Sequence, residues 1–132
     1  MKIISHRGNI NGPRKELENK PRYINQALEL GYDVEIDVWW KDDGFWLGHD
    51  EPQFKVNRQF LQNDKFWCHA KNIEGLYKIF HQEDDVTLTS KGYIWTYPNK
   101  QLTDNSIAVL PKELDKSLNC YGVCTDFVTR WI

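Results

Sequence analysis

What this chain of 132 residues lacks narrows its role before any motif is considered. It lacks a charge excess: 17 Lys and Arg stand against 19 Asp and Glu, a net −2. Without a polybasic footprint, nonspecific nucleic-acid binding is not its main role, and no nucleic-acid partner is expected. No stretch approaches the length of a membrane span. The opening residues Met1 to His6 are too short in apolar length for a signal peptide. The chain is therefore expected to begin directly with its first strand and to be cytoplasmic. Cysteines are few and odd in number: Cys68, Cys120 and Cys124. Cys120 and Cys124 are spaced CxxxC, but no second Cys/His pair follows, which argues against a closed zinc site. Reduced, buried thiols are the simpler reading. Repeats, low-complexity segments and linkers are also missing, so a single domain over residues 1–132 is expected.

Aromatics are plentiful at 14%. They help a small domain bury enough apolar surface, and Trp39, Trp40, Trp46, Trp67 and Trp95 are read mostly as core. Ile3 to His6 reads as a strand running into a turn-rich loop, Asn9 to Pro13. Pro21 suits the first turn of a helix that Asn19 or Lys20 precedes, because its missing N–H does little harm there. Tyr23, Ile24, Ala27, Leu28 and Leu30 form the apolar stripe of that helix, and Gly31 is a plausible closing residue. The next segment alternates, with Val34, Ile36 and Val38 on one face and Asp33, Glu35 and Asp37 on the other. Asp43-Gly44 signals a two-residue hairpin turn. That register pairs Asp42 with Phe45, sets Val38 opposite His49, and sets Asp37 opposite Asp50. Asp50 rather than His49 then lies on the acidic face, unless Gly48 carries a bulge or the pairing ends before it.

Later strands are expected at Phe66 to Lys71, Ile79 to His81, Val86 to Leu88, Tyr93 to Tyr97, Ile107 to Leu110 and Tyr121 to Thr125. Short helices are expected over Ile73 to Ile79, capped by Asn72, and around Leu114 and Leu118. Strands interspersed with few, short helices indicate a parallel-rich α/β sheet or barrel.

The chemistry concentrates in the first fifty residues. Alternate carboxylates on one strand lie roughly 6.5–7 Å apart at Cα. With a third ligand and waters, Glu35 and Asp37 suit a hard divalent cation. The alternative is a half-exposed strand with its acids in water, but inside a barrel unpaired acids call for a cation or a Lys/Arg partner. His6 and His49, which titrate near neutrality, suit acid and base roles about one phosphorus. Arg7 could fork onto phosphate or orient a carboxylate such as Glu18. His69 and Lys71 share a strand face. His69 is a candidate metal ligand, and Lys71 could neutralise phosphate charge or simply pair with Glu35 or Asp37. His81, with Asp84 and Asp85, reads as a solvated loop, the alternative being support behind the site. Asp126 ends the last strand, where barrels place functional groups.

Ser5-His6-Arg7-Gly8, Glu18-Asn19, Glu35-Ile36-Asp37, Gly48-His49-Asp50, the strand ending at Lys71, and Gly122-Val123-Cys124-Thr125-Asp126 follow one another in an order that resembles the glycerophosphodiester phosphodiesterase family. That family belongs to the phosphatidylinositol-phospholipase-C-like barrel superfamily. The resemblance covers residues 3–52 most closely. It implies a TIM-like (β/α) barrel and metal-dependent hydrolysis of a glycerophosphodiester or similar small phosphodiester. His6 and His49 would be the acid–base pair. Glu35 and Asp37 would hold Mg2+ or Ca2+ (or Mn2+), and Arg7 and Lys71 would contact phosphate; His69 is added to the metal ligands, and Asp50 to the substrate contacts, as candidates from the residues themselves. Glu18, His81 and Asp126 would support the site from behind.

Two departures stand out. His69 occupies the place where the family carries an acid two residues before its lysine. And 132 residues fall short of the roughly 200 of a complete barrel. The expected fold is thus a reduced or incomplete α/β barrel with shortened or missing helices, its exposed flanks open to cover by a second copy of the chain. A non-catalytic phosphate-binding barrel, a phospholyase releasing a cyclic phosphate, and a plain interaction protein are the rival functions.

Overall fold

The computed structural model describes residues 1–79 and 90–132. Its core is one curled sheet with three short helices. The strands are β1 (Lys2–His6), β2 (Asp33–Lys41), β3 (Gly44–Leu47), β4 (Phe54–Val56), β5 (Phe66–Ala70), β6 (Ile94–Thr96), β7 (Ser106–Val109) and β8 (Gly122–Thr125). The helices are α1 (Pro21–Glu29), α2 (Arg58–Leu61) and α3 (Ile73–Ile79).

Six strands run parallel in the order β5-β2-β1-β8-β7-β6. That order follows the chain around a ring, because β1 pairs with both β2 and β8. Among the described residues the ring is open between β5 and β6, giving a mixed α/β half-barrel.

Strand β2 is the hub. Val34 and Glu35 pair with β1 and β5 at once, and Val38 pairs with both Ala70 and Leu47. A strand has two edges, so β3 continues along the edge that β1 occupies lower down. As a result Asp33 to Val38 are all buried. The apolar alternates Val34, Ile36 and Val38 face outward into a cluster with Ile24 and Ala27 of α1 and Phe45, Leu47 and Phe66. Full burial of Ile24 alone is worth about 2–3 kcal/mol. A second cluster, Ile4, Trp67, Trp95, Ile107, Val109 and Cys124, fills the inner face.

Helix α1 forms where its periodicity places it, with Pro21 in its first turn and Gly31 at φ 93° just beyond its end. Helix α3 also matches, and Asn72 Oδ1 accepts from Gly75 N at 2.9 Å as its cap.

Three expectations change. The hairpin turn is Asp42-Asp43, at φ 50° and 55°, so Lys41 pairs with Gly44 and Val38 with Leu47. A two-residue primed turn needs left-handed φ at both central positions, which Asp tolerates. The register therefore shifts by two, and His49 and Asp50 lie beyond the ladder instead of opposite Val38 and Asp37. The region around Leu114 and Leu118 is a run of turns with no helix. Asp115 Oδ1 accepts from both the backbone N and the hydroxyl of Ser117, which competes with helical hydrogen bonding. Ile79 ends α3 instead of starting a strand. Phe80, His81, Asp84, Asp85 and the Val86 to Leu88 segment lie outside the described residues. Helix α2 and strand β4 carry no strong periodic signal and were not foreseen. Among the described residues, no helix is long and apolar enough to cross a membrane.

Candidate functional site

The inner-facing alternates of the parallel strands converge at their C-terminal ends. Parallel register sets His6 beside Glu35 and Asp37 beside His69. His69 Nδ1 lies 3.4 Å from Asp37 Oδ1 and 3.8 Å from Glu35 Oε1. His6 Nε2 lies 3.9 Å from Glu35 Oε2.

The residue just after neighbouring β8 is Asp126, whose Oδ1 is 2.9 Å from His6 Nδ1. A carboxylate only accepts, so Nδ1 carries the proton and Nε2 is left to face the inner site. Asn9 secures this dyad from the β1–α1 loop. Its Nδ2 donates to Asp126 Oδ1 at 2.6 Å, while its Oδ1 accepts from Tyr23 Oη at 3.0 Å.

Asp37 is held from the other side. Arg7 Nε makes an ion pair with its Oδ2 at 3.0 Å, and Asn19 Nδ2 donates to the same oxygen at 2.8 Å. Asn19 Oδ1 in turn accepts from Asp37 N at 3.0 Å. Arg7 Nη1 also lies 3.6 Å from Glu18. Thus Arg7 orients carboxylates, the second of the two roles expected for it. Arg7 and Asn19 both adopt left-handed backbone, at φ 57° and 64°. A chain turn at each is what returns these side chains to β2.

The three acids of β2 differ in what satisfies them. Asp33 accepts from Trp67 Nε1 at 2.8 Å and pairs with Lys2 at 3.4 Å. Glu35 Oε2 and Asp37 Oδ1, both buried, accept no hydrogen bond. Orphaned carboxylate oxygens are costly inside a protein. Glu35, Asp37 and His69 each offer one ligand atom, all within 4.8 Å of one another, and two oxygens with one imidazole can hold a divalent cation.

His49 and Asp50 stand apart from this cluster. They pair with each other, Nδ1 to Oδ1 at 2.8 Å, and both are substantially solvent-exposed. They nevertheless line a cavity of about 320 Å³ together with Arg7, Glu18 and Asn19. Lys71 makes no ion pair among the described residues, and its charge reaches Glu35 only at longer range.

Comparison with family models, with curated proteins and with solved structures finds no match for this chain.

The electrostatics separate the two inner acids. Burial, followed by the charge of Asp37, pushes the Glu35 carboxyl well above the usual range. Burial also opposes ionisation of Asp37, but His69, Arg7 and Asn19 outweigh it and hold that carboxyl low. Asp126 behaves alike, with burial outweighed by His6, Asn9 and Arg7. A raised folded value for Glu35 means its contribution to stability is full at low pH and is lost as pH rises through that value. A carboxyl raised in this way holds its proton more tightly, so a cation bound there competes with that proton. Uptake is expected to release up to about one proton, read as calorimetric heats that scale with the ionisation enthalpy of the buffer. Equal heats in all buffers would contradict the protonated carboxyl.

The loop carrying His49 depends on Gly48. Its N–H donates to Asp37 O at 3.2 Å, and its O accepts from Trp39 Nε1 at 2.7 Å. A Cβ there would sit 2.0 Å from Glu51 O. Gly48→Ala is expected to cost about 2 kcal/mol and to displace His49, measured by denaturant unfolding and by histidine NMR shifts.

The sequence sets Asn9 in a turn-rich loop and Asn19 before the first helix and within the Glu18-Asn19 motif, and by itself points to a site role for neither. Neither belongs to a periodic pattern, and the one available signal was their position in turn-rich segments next to His6 and Glu18.

Proposed function

We propose that this chain is a reduced (β/α) barrel that cleaves a phosphodiester with a small, polar alcohol, aided by a divalent cation at Glu35, Asp37 and His69. One observation carries the reading. Two buried carboxylates keep oxygens without hydrogen-bond partners beside His69, facing a histidine whose far nitrogen is held by Asp126. A structural ion cluster has no need of an oriented imidazole. When bound, the cation supplies positive charge for the phosphoryl oxygens as charge builds in the transition state. His6 Nε2 is placed to take or give a proton at the phosphorus-bound oxygens. Arg7 and Asn19 fix Asp37 so that only Oδ1 is turned inward. His49 is the partner acid–base group from the cavity side, and Lys71 contributes longer-range positive charge.

One observation favours a second reading, a phosphate-binding domain without turnover. Among the described residues His49 bonds only to its neighbour Asp50 and makes no ion pair with Glu35 or Asp37. A phosphodiester panel assayed with and without chelator tests the first reading, with His49→Ala as control. Chelator-sensitive turnover that His49→Ala abolishes supports it. Binding without turnover supports the second. Running the reaction in heavy-oxygen water separates hydrolysis, which labels the phosphate, from cyclisation, which does not.

A further inference from the structure

If Arg7 is committed to carboxylates, phosphate needs another cation. The Arg7 guanidinium spans Asp37 at 3.0 Å and Glu18 at 3.6 Å. An anion would have to compete with both for it. Beside that pair lies the cavity of about 320 Å³, and its wall includes Lys15 as well as His49 and Gln53.

Lys15 makes no ion pair and no ring contact among the described residues. By contrast Lys2 rests against Asp33, and Lys20, Lys55 and Lys78 lie over aromatic rings. The backbone on either side of it, however, is tied down. Arg14 N donates to Asn9 Oδ1 at 3.1 Å, and Leu17 N and Glu18 N donate to Arg14 O at 2.9 and 3.1 Å. Asn9 is the residue that grips Asp126. A fixed turn thus carries Lys15, which has no ion pair among the described residues, on the wall shared by Arg7 and His49.

We propose that Lys15 is a substrate-binding residue that holds an anionic oxygen of a phosphodiester in this cavity. The identity of the ligand rests on the phosphodiester reading above, whereas the binding itself does not require the cation. Glu18, Asp50 and Glu51 share the wall. They repel a second negative charge, so the cavity suits a singly charged diester over a doubly charged monoester.

Diethyl phosphate, a monoanionic diester, is the probe, titrated by NMR with and without magnesium, alongside inorganic phosphate and neutral glycerol. Lys15→Ala is expected to raise the Kd for diethyl phosphate about tenfold in both conditions. Lys15→Arg should recover most of that loss, and magnesium affinity should not change. Inorganic phosphate should bind more weakly than the diester, and glycerol should not respond to the substitution. Lys15 is on an exposed turn, so circular dichroism should report an unaltered fold. Lys112→Ala, on the wall of a different cavity, serves as the control. A Kd for Lys15→Ala within about twofold of wild type, or no diester binding by wild type, would overturn the proposal. Lys15-dependent diester binding in a protein that takes up none of magnesium, calcium and manganese would sink the metal-dependent reading and leave this one standing. Magnesium uptake with Lys15-independent diester binding would do the reverse.

Discussion

Glu35→Gln is expected to abolish divalent-cation binding while stabilising the cation-free protein at alkaline pH. The two effects share one cause. Glu35 is 1% exposed, and its Oε2 has no hydrogen-bond partner. Its ionised form is therefore held in place at a cost unless a cation sits against it. The amide keeps the shape and removes the charge. Activity on a phosphodiester should fall about a thousandfold, the upper end of what loss of one charge-stabilising group costs. Without cation at pH 8, stability should rise by about 1 kcal/mol, because the amide removes the cost of burying a carboxyl at a pH where the unfolded chain ionises it freely. Asp37→Asn should also abolish binding, but with the opposite sign for stability. Asp37 anchors Arg7 and Asn19, and its loss leaves the guanidinium without its closest partner. Thermal melts with and without magnesium, read beside calorimetry, give both quantities. Normal cation uptake by Glu35→Gln would remove the basis for a cation site.

The second large effect belongs to the dyad. His6→Ala should lower turnover by about 10² to 10⁴, the range general acid–base catalysis supplies. Cation uptake should be retained, since His6 is not among the three ligand groups. Asp126→Asn should cost less, about tenfold to a hundredfold. An asparagine can present its amide to His6 Nδ1 and favour the wrong tautomer, so the pH–rate profile should move as well. Asn9→Ala removes a hydrogen bond to Asp126 without touching the imidazole, and should lower turnover by less than Asp126→Asn does. Full activity in His6→Ala would end the acid–base assignment.

Much of this arrangement was legible in the residues. The alternation from Asp33 to Val38 predicted an acidic inner face and an apolar outer one, and both are present. Pairing of Asp37 with His69 follows from parallel register once both strands are recognised. The hairpin was harder. Asp-Asp and Asp-Gly both offer left-handed conformers, and the choice between them moves the partner strand by two residues. In the structure both Asp residues take the left-handed turn positions and Gly44 enters the strand opposite Lys41. The loops that position Asn9 and Asn19 carry no period, and their role emerges only when distant strands meet. Leu114 and Leu118 have helical spacing, but local hydrogen bonding to Asp115 prevailed.

The pairing of β1 with β8 also orders events in time. His6 and Asp126 are 120 residues apart in sequence. They meet only after the chain has closed its longest loop, the kind of contact that forms late in folding. Glu35, Asp37 and His69 lie on β2 and β5, much nearer along the chain, and come together over a shorter closure. If the site holds a cation as proposed, a partly folded chain in which β2 has met β5 but β1 has not met β8 would take it up before His6 had met Asp126. Metal capture would then precede catalytic maturation, and the bound ion could act as a template for the remaining strands.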